Sequence, residues 1–197
     1  MNIDSREYAS KYLAESLKVR EILTSDDLVL RGISEVSELV AKAYASGGKV
    51  LIAGNGGSAA DAQHIAAEFV SRFFYDRPGL PAIALTTDTS MLTAIGNDYG
   101  FDNLFSRQVE AQGREGDIFI GISTSGNSTN ILKASEAAKV ANLKTVGLCG
   151  SGGELSSRVD VSIQVPSDCT PYIQECHIVI GHIICGYVEE CMFPRKK

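Results

Sequence analysis

Val50-Leu51-Ile52-Ala53-Gly54-Asn55-Gly56-Gly57-Ser58-Ala59-Ala60-Asp61 runs from an apolar stretch through a glycine-rich turn into helix-forming residues. A strand that ends in such a turn and re-enters as a helix points backbone N–H groups and the positive end of a helix dipole at one spot, which suits an anion. The same design recurs where Ile118–Ile122 leads into Ser123-Thr124-Ser125-Gly126-Asn127-Ser128. Three further apolar runs, Ala82–Leu85, Thr145–Leu148 and Val161–Val165, alternate with helix-length segments. Strands rich in Val, Ile and Leu are those buried on both faces, and helical crossovers make them parallel.

The pattern predicts an α/β fold with a five-stranded parallel sheet sandwiched by helices. In the flavodoxin-like order 2-1-3-4-5, strands 1 and 3 are neighbours at the switch point where open α/β sheets bind ligands. Both loops then face one crevice. Read singly, either loop is equally a plain Gly/Ser turn. The first loop lacks the Gly-Lys-Ser/Thr ending of a nucleotide P-loop. It meets the loose dinucleotide spacing Gly54, Gly56, Ala59, but the nearest acid closing the second strand, Asp88, lies well beyond the usual interval.

Outside this unit, residues 1–46 predict two amphipathic helices, about 4–23 and 27–46, with Ser25-Asp26-Asp27 as capping sequence and Gly47-Gly48 as a stop. A final helix over Tyr172–Cys191 carries Gly181 and Gly186 inside an apolar face, which allows another backbone to come close. The 197 residues contain no linker-like stretch, so one domain spanning 1–197 is expected, its first 46 residues packing on the body and on an oligomer interface.

With 18 basic against 24 acidic residues the net charge is −6, which argues against a nucleic-acid groove or a polybasic membrane patch. Five cysteines, none in zinc-knuckle or redox spacing, fit free thiols in a reducing compartment. Residues 1–25 show no signal-peptide apolar core and no run approaches a membrane span, so a cytoplasmic location is expected.

His64 and Glu68, four apart on a predicted helix, share a face and can converge on one cation. Asp61 lies on the same face, placed to orient the imidazole or to transfer a proton. Such a His–Glu pair is equally an ordinary solvated contact. The other two histidines, His177 and His182, lie on the last helix near Gln174, and His182 amid Ile and Val also reads as a core histidine.

Taken together, Gly54-Asn55-Gly56-Gly57-Ser58 with His64 and Glu68, Gly96-Asn97-Asp98, the serine loop, Ile173-Gln174-Glu175 with His182, and Arg77–Ala82 resemble the phosphoheptose isomerase family of sugar-isomerase (SIS) domain proteins. The likeness covers nearly the whole chain. It implies cytoplasmic homotetramers, with one Zn2+ per subunit, that convert sedoheptulose 7-phosphate to glycero-manno-heptose 7-phosphate, the first step towards the nucleotide-activated heptose of lipopolysaccharide. It assigns zinc to His64, Glu68, Gln174 and His182. Sugar or phosphate contacts fall to Asn55, Gly56, Gly57, Ser58, Glu68, Asn97, Asp98, Ser123, Thr124, Ser125, Ser128 and Gln174. A paralogous group that shares the fold without the metal set, and binds the replication initiator, is the non-catalytic alternative. Glu68 and His182 discriminate against it.

Moving a proton between C1 and C2 of a sugar needs a base, an acid and a stabiliser of oxygen charge. Glu68 and His182 are expected as base and partner acid, in either order. A carboxylate donating to a metal is a weakened base, which leaves Asp61 in reserve. Gln174 and His182 are separated by about 12 Å of rise and roughly 80° on one helix. Both reaching one ion therefore suggests that the last helix of one chain completes a site begun by another, unless that helix breaks between them.

Overall fold

The computed structural model describes residues 3–195 of the protein. Five parallel strands, β1 (Val50–Gly54), β2 (Ala82–Ala84), β3 (Ile118–Ser123), β4 (Lys144–Cys149) and β5 (Val161–Gln164), form one sheet in the order β2-β1-β3-β4-β5. This is the expected order. Gly54 of β1 pairs with Ile122 of β3, so the two loops leave the sheet side by side at the same edge.

Period-two alternation sends Val50 and Ile52 to one face and Leu51 and Ala53 to the other. On the first face, β1's side chains join those of α2 (Asp27–Ala45), α3 (Gly57–Val70) and α7 (Thr170–Met192). On the second they meet α5 (Ser106–Gln112) and α6 (Thr129–Val140). Phe69, Phe119, Leu51, Ile52 and Ile120 are among the largest side chains fully withdrawn from water. Each contributes about 1.5–3 kcal/mol relative to exposure.

The helix α1 (Ser5–Ser25) runs two residues beyond its expected end because Asp26, not Ser25, is the shared boundary. The Asp26 carboxylate accepts from the N–H groups of Leu28 and Val29 at 2.9 and 3.2 Å and so caps α2. Polar bonds tie α1 to α7. Glu175 accepts from Tyr12 (2.8 Å), Arg20 (3.2 Å) and Ser16, while Tyr172 donates to Glu15 at 2.8 Å.

One element meets the core only through the partly buried Leu92 and Ile95. The helix α4 (Thr89–Tyr99), capped by Asp88, has no buried residue. Among the described residues no helix is long and apolar enough to cross a membrane.

Candidate active site

The two loops meet through an amide clasp. Asn55, just after β1, and Asn130, in the first turn of α6, exchange hydrogen bonds of 2.9 Å in both directions. Asn130 is buried, so each amide satisfies the other where water cannot. Asn55, expected to contact ligand, thus spends half its amide's bonding capacity on holding the loops together.

In the serine loop, Ser123 and Ser128 hydroxyls lie 2.9 Å apart, and Ser125 Oγ accepts from the N–H of Asn127 at 3.2 Å. Ser123 is nearly buried and Ser125 exposed, with Thr124 and Ser128 between these extremes. The result is a graded wall of hydroxyls at the start of α6, where the Ser128 side chain makes no capping bond and its carbonyl accepts from the N–H groups of Ile131 and Leu132. That leaves first-turn N–H groups to an outside acceptor. In the glycine loop, Gly56 and Gly57 are exposed, while Ser58 is turned inward and buried. A Cβ added at Gly57 would overlap the side-chain amide of Gln174, which lies directly across the loop.

Further along α3, His64 and Glu68 approach to 3.2 Å, Nε2 to Oε1. From α7, the Nε2 of His182 reaches within 3.2 Å of the His64 Nε2. One ligand atom from each of these three residues lies within 4.8 Å of the others. Four ligands held tetrahedrally about 2.0–2.1 Å from a zinc ion stand roughly 3.3 Å from one another. The two spacings of 3.2 Å about His64, among two imidazole nitrogens and one carboxylate oxygen, match that requirement, and the third pair lies within 4.8 Å. His182 is half-buried, so it is neither the core histidine of the simple reading nor a free surface group.

Asp61, a turn earlier on α3, is partly buried and its Oδ2 lacks a partner. Burial pushes its carboxyl up to about 6, against a smaller opposing pull from His64. A carboxyl titrating there is a competent base near neutrality.

The side-chain amide of Gln174 lies against Gly57, at the start of α3. The helix α7 is continuous from Thr170 to Met192, which removes the expected alternative of a break. Its pairings with α3 run in step: Gln174 beside Gly57, His182 beside His64, Gly181 against Ile65. The helices therefore lie parallel, and the Gln174 backbone stays about 12 Å of rise, just over two turns, behind that of His182. The expectation that one chain's last helix completes another's site is corrected for His182, which its own chain delivers. Asn97 and Asp98 lie exposed on α4, bonded to each other at 2.7 Å, and are not brought to the cluster.

Sequence reasoning missed Asn130 and Phe73. Nothing in their spacing marks them, although an asparagine two residues into a helix after a serine run is a polar group in need of a partner. Phe73 lies against His182 with ring centroids 5.4 Å apart.

Fold and site together define a SIS-type α/β protein with a hydroxyl-lined loop and a His–Glu–His cluster. The family model of the SIS domain matches residues 11–150. A phosphoheptose isomerase of Aneurinibacillus thermoaerophilus is 58% identical over 191 residues, covering 96% of each chain. Phosphoheptose isomerase 2 of Campylobacter jejuni is 60% identical over 95% of this chain and 94% of its own. A solved phosphoheptose isomerase from Francisella tularensis superposes with a TM-score of 0.90 at 39% identity, over 95% of this chain and all of that one. The chain belongs to the phosphoheptose isomerase family.

Proposed function

We propose that this protein is a zinc-dependent ketose–aldose isomerase that converts sedoheptulose 7-phosphate to D-glycero-D-manno-heptose 7-phosphate. It would act in the cytoplasm at the start of nucleotide-activated heptose synthesis for lipopolysaccharide. The observation that carries the reading is the convergence, within 4.8 Å, of His64 and Glu68, on a helix that starts at the glycine loop, with His182 of α7.

The phosphate binds at Ser123, Thr124, Ser125 and Ser128 and the open N–H groups of α6, far from the reacting carbons. Its binding energy is available to hold those carbons in place. Asn55, Gly56 and Gly57 line the path between. His64 lies about 10 Å along α3 from Gly57, a span matching an extended sugar-phosphate chain. Glu68 takes the proton from one carbon and His182 moves a proton at the neighbouring oxygen, so that an enediol forms and collapses to the other isomer. Asp61 is the alternative base.

His64, Glu68 and His182 are the residues that would hold zinc, and a zinc ion there supplies Lewis-acid polarisation of the substrate carbonyl and adjacent hydroxyl. A fourth donor is Gln174, supplied by a second copy of the chain in a homotetramer. Three observations favour that assembly: Gln174 of the same chain lies two turns away, α4 with Asn97 and Asp98 has no fully buried residue, and α7 exposes Val179, Ile183 and Tyr187 beside His182.

The test is to incubate purified protein with sedoheptulose 7-phosphate, with and without a chelator, and to repeat this with Glu68→Gln. Turnover is expected in the untreated protein only. The Glu68→Gln variant is expected to lose at least about 100-fold in kcat while still binding the phosphorylated sugar. Chelator-resistant turnover removes the zinc assignment, and near-normal turnover by the variant removes Glu68 as base.

A further inference from the structure

The loop that follows α3 is tied to α7 by an ion pair buried more deeply than any other among the described residues. Arg77 and Glu189 have side-chain exposures of 2% and 0%, and the Arg77 Nε donates to Glu189 Oε2 at 3.1 Å. The carboxylate also accepts from the backbone N–H groups of Phe73, Phe74 and Tyr75, at 2.8, 2.6 and 3.3 Å. The guanidinium turns the other way. Its Nη2 donates to the carbonyl of Glu68 at 2.8 Å and its Nη1 to that of Phe69 at 2.6 Å. Those carbonyls belong to the last turn of α3, where no intrahelical donor remains and a cation is favoured.

Stability alone is a weak reason for such a pair, because well-packed apolar residues of similar volume often serve a core equally well. Its position supplies a better one. Glu189 is seven residues beyond His182, so the two project from nearly the same side of α7. At one end the pair grips the peptide of Glu68 itself. At the other, Glu189 holds the N–H of Phe73, whose ring lies against His182.

We infer that Arg77 and Glu189 are positioning residues for the His64–Glu68–His182 cluster, locking the last turn of α3 to α7 so that the carboxylate and the two imidazoles keep their mutual spacing. The inference rests on reading those three residues as the reacting and metal-holding group. It assigns Phe73 the role of a wedge that sets the ring plane of His182.

The chain has three histidines, which makes their ring signals a direct readout in metal-free, isotope-labelled protein. In Glu189→Gln and Arg77→Lys, the ring signals of His64 and His182 are expected to shift or broaden, while that of His177 stays in place. The affinity for zinc alone should weaken on the order of 10- to 100-fold. The kcat with sedoheptulose 7-phosphate should fall in parallel and KM change less than about threefold. Folded variants with wild-type ring signals and zinc affinity would overturn the inference. Should both variants fail to fold, Phe73→Leu leaves the pair intact and decides the matter: an unmoved His182 signal refutes the linkage. A wild-type protein that turns over no ketose phosphate removes the functional reading instead, and the ring signals still decide the positioning role.

Discussion

His177 and His182 share one helix, yet the first is fully buried and the second half-exposed to the cluster. The Nε2 of His177 lies 3.2 Å from the carbonyl of Cys149, and its buried Nδ1 has no partner. Burial, partly offset by that carbonyl, lowers its titration to about 4. The unfolded chain, with an ordinary value near 6.5, therefore binds a proton that the folded chain refuses across this window. Stability is full above about pH 6.5 and lost as pH falls towards 4, by roughly 2–3 kcal/mol between pH 7 and 4.5. Denaturant unfolding at both pH values measures this, and His177→Gln is expected to flatten that part of the slope. An equal slope in the variant would exonerate His177. At this scale the sequence showed the scarcity of histidines and their placement, but not which of two helical histidines is core. A rotation of about 140° in five residues separates the faces, and only packing says which face meets the sheet.

Where α3 and α7 lie parallel, the contact depends on residues without side chains. A Cβ at Gly181 would come within 2.7 Å of Ile65, and one at Gly186 within 2.9 Å of Phe74. Both glycines signalled close approach in the sequence. The approaching side chains belong to the chain's own α3 and the loop after it. Gly181→Val should push the helices apart, at a cost of about 1–3 kcal/mol. It should also part His182 from His64, so that zinc affinity falls together with melting temperature. Calorimetry and a zinc titration check the two effects, and a destabilised variant with unchanged zinc affinity would show that the cluster tolerates the displacement. The five strands and the first two and last helices were legible to within a residue or two, because apolar periodicity and the Asp26 cap act locally.

In the whole molecule, a single chain leaves apolar positions uncovered, some of them on α4, which carries Asn97 and Asp98. Leu13 and Leu17 of α1, the flank of α4 and Ile183 and Tyr187 of α7 are exposed apolar positions. Proteins that expose such contiguous faces cover them by association. Sedimentation velocity should find a species larger than the 21.0 kDa chain. Dilution below its dissociation range should abolish turnover, whereas a fully active monomer would defeat the interfacial reading of Gln174, Asn97 and Asp98.

Alternating apolar runs and glycine turns were sufficient by themselves to determine a five-stranded parallel sheet and the two loops at strand ends, while the strand order came from likeness to flavodoxin-like sheets. Those features follow from short-range periodicity and from the handedness of crossovers. Only the tertiary structure decided that His182 meets His64 and Glu68 within one chain, that Gln174 lies over Gly57 instead, and that Asn130 and the Arg77–Glu189 pair brace the loops and helices. Each of these joins residues far apart in sequence, and such contacts depend on how helices stack across a sheet, which no local pattern encodes.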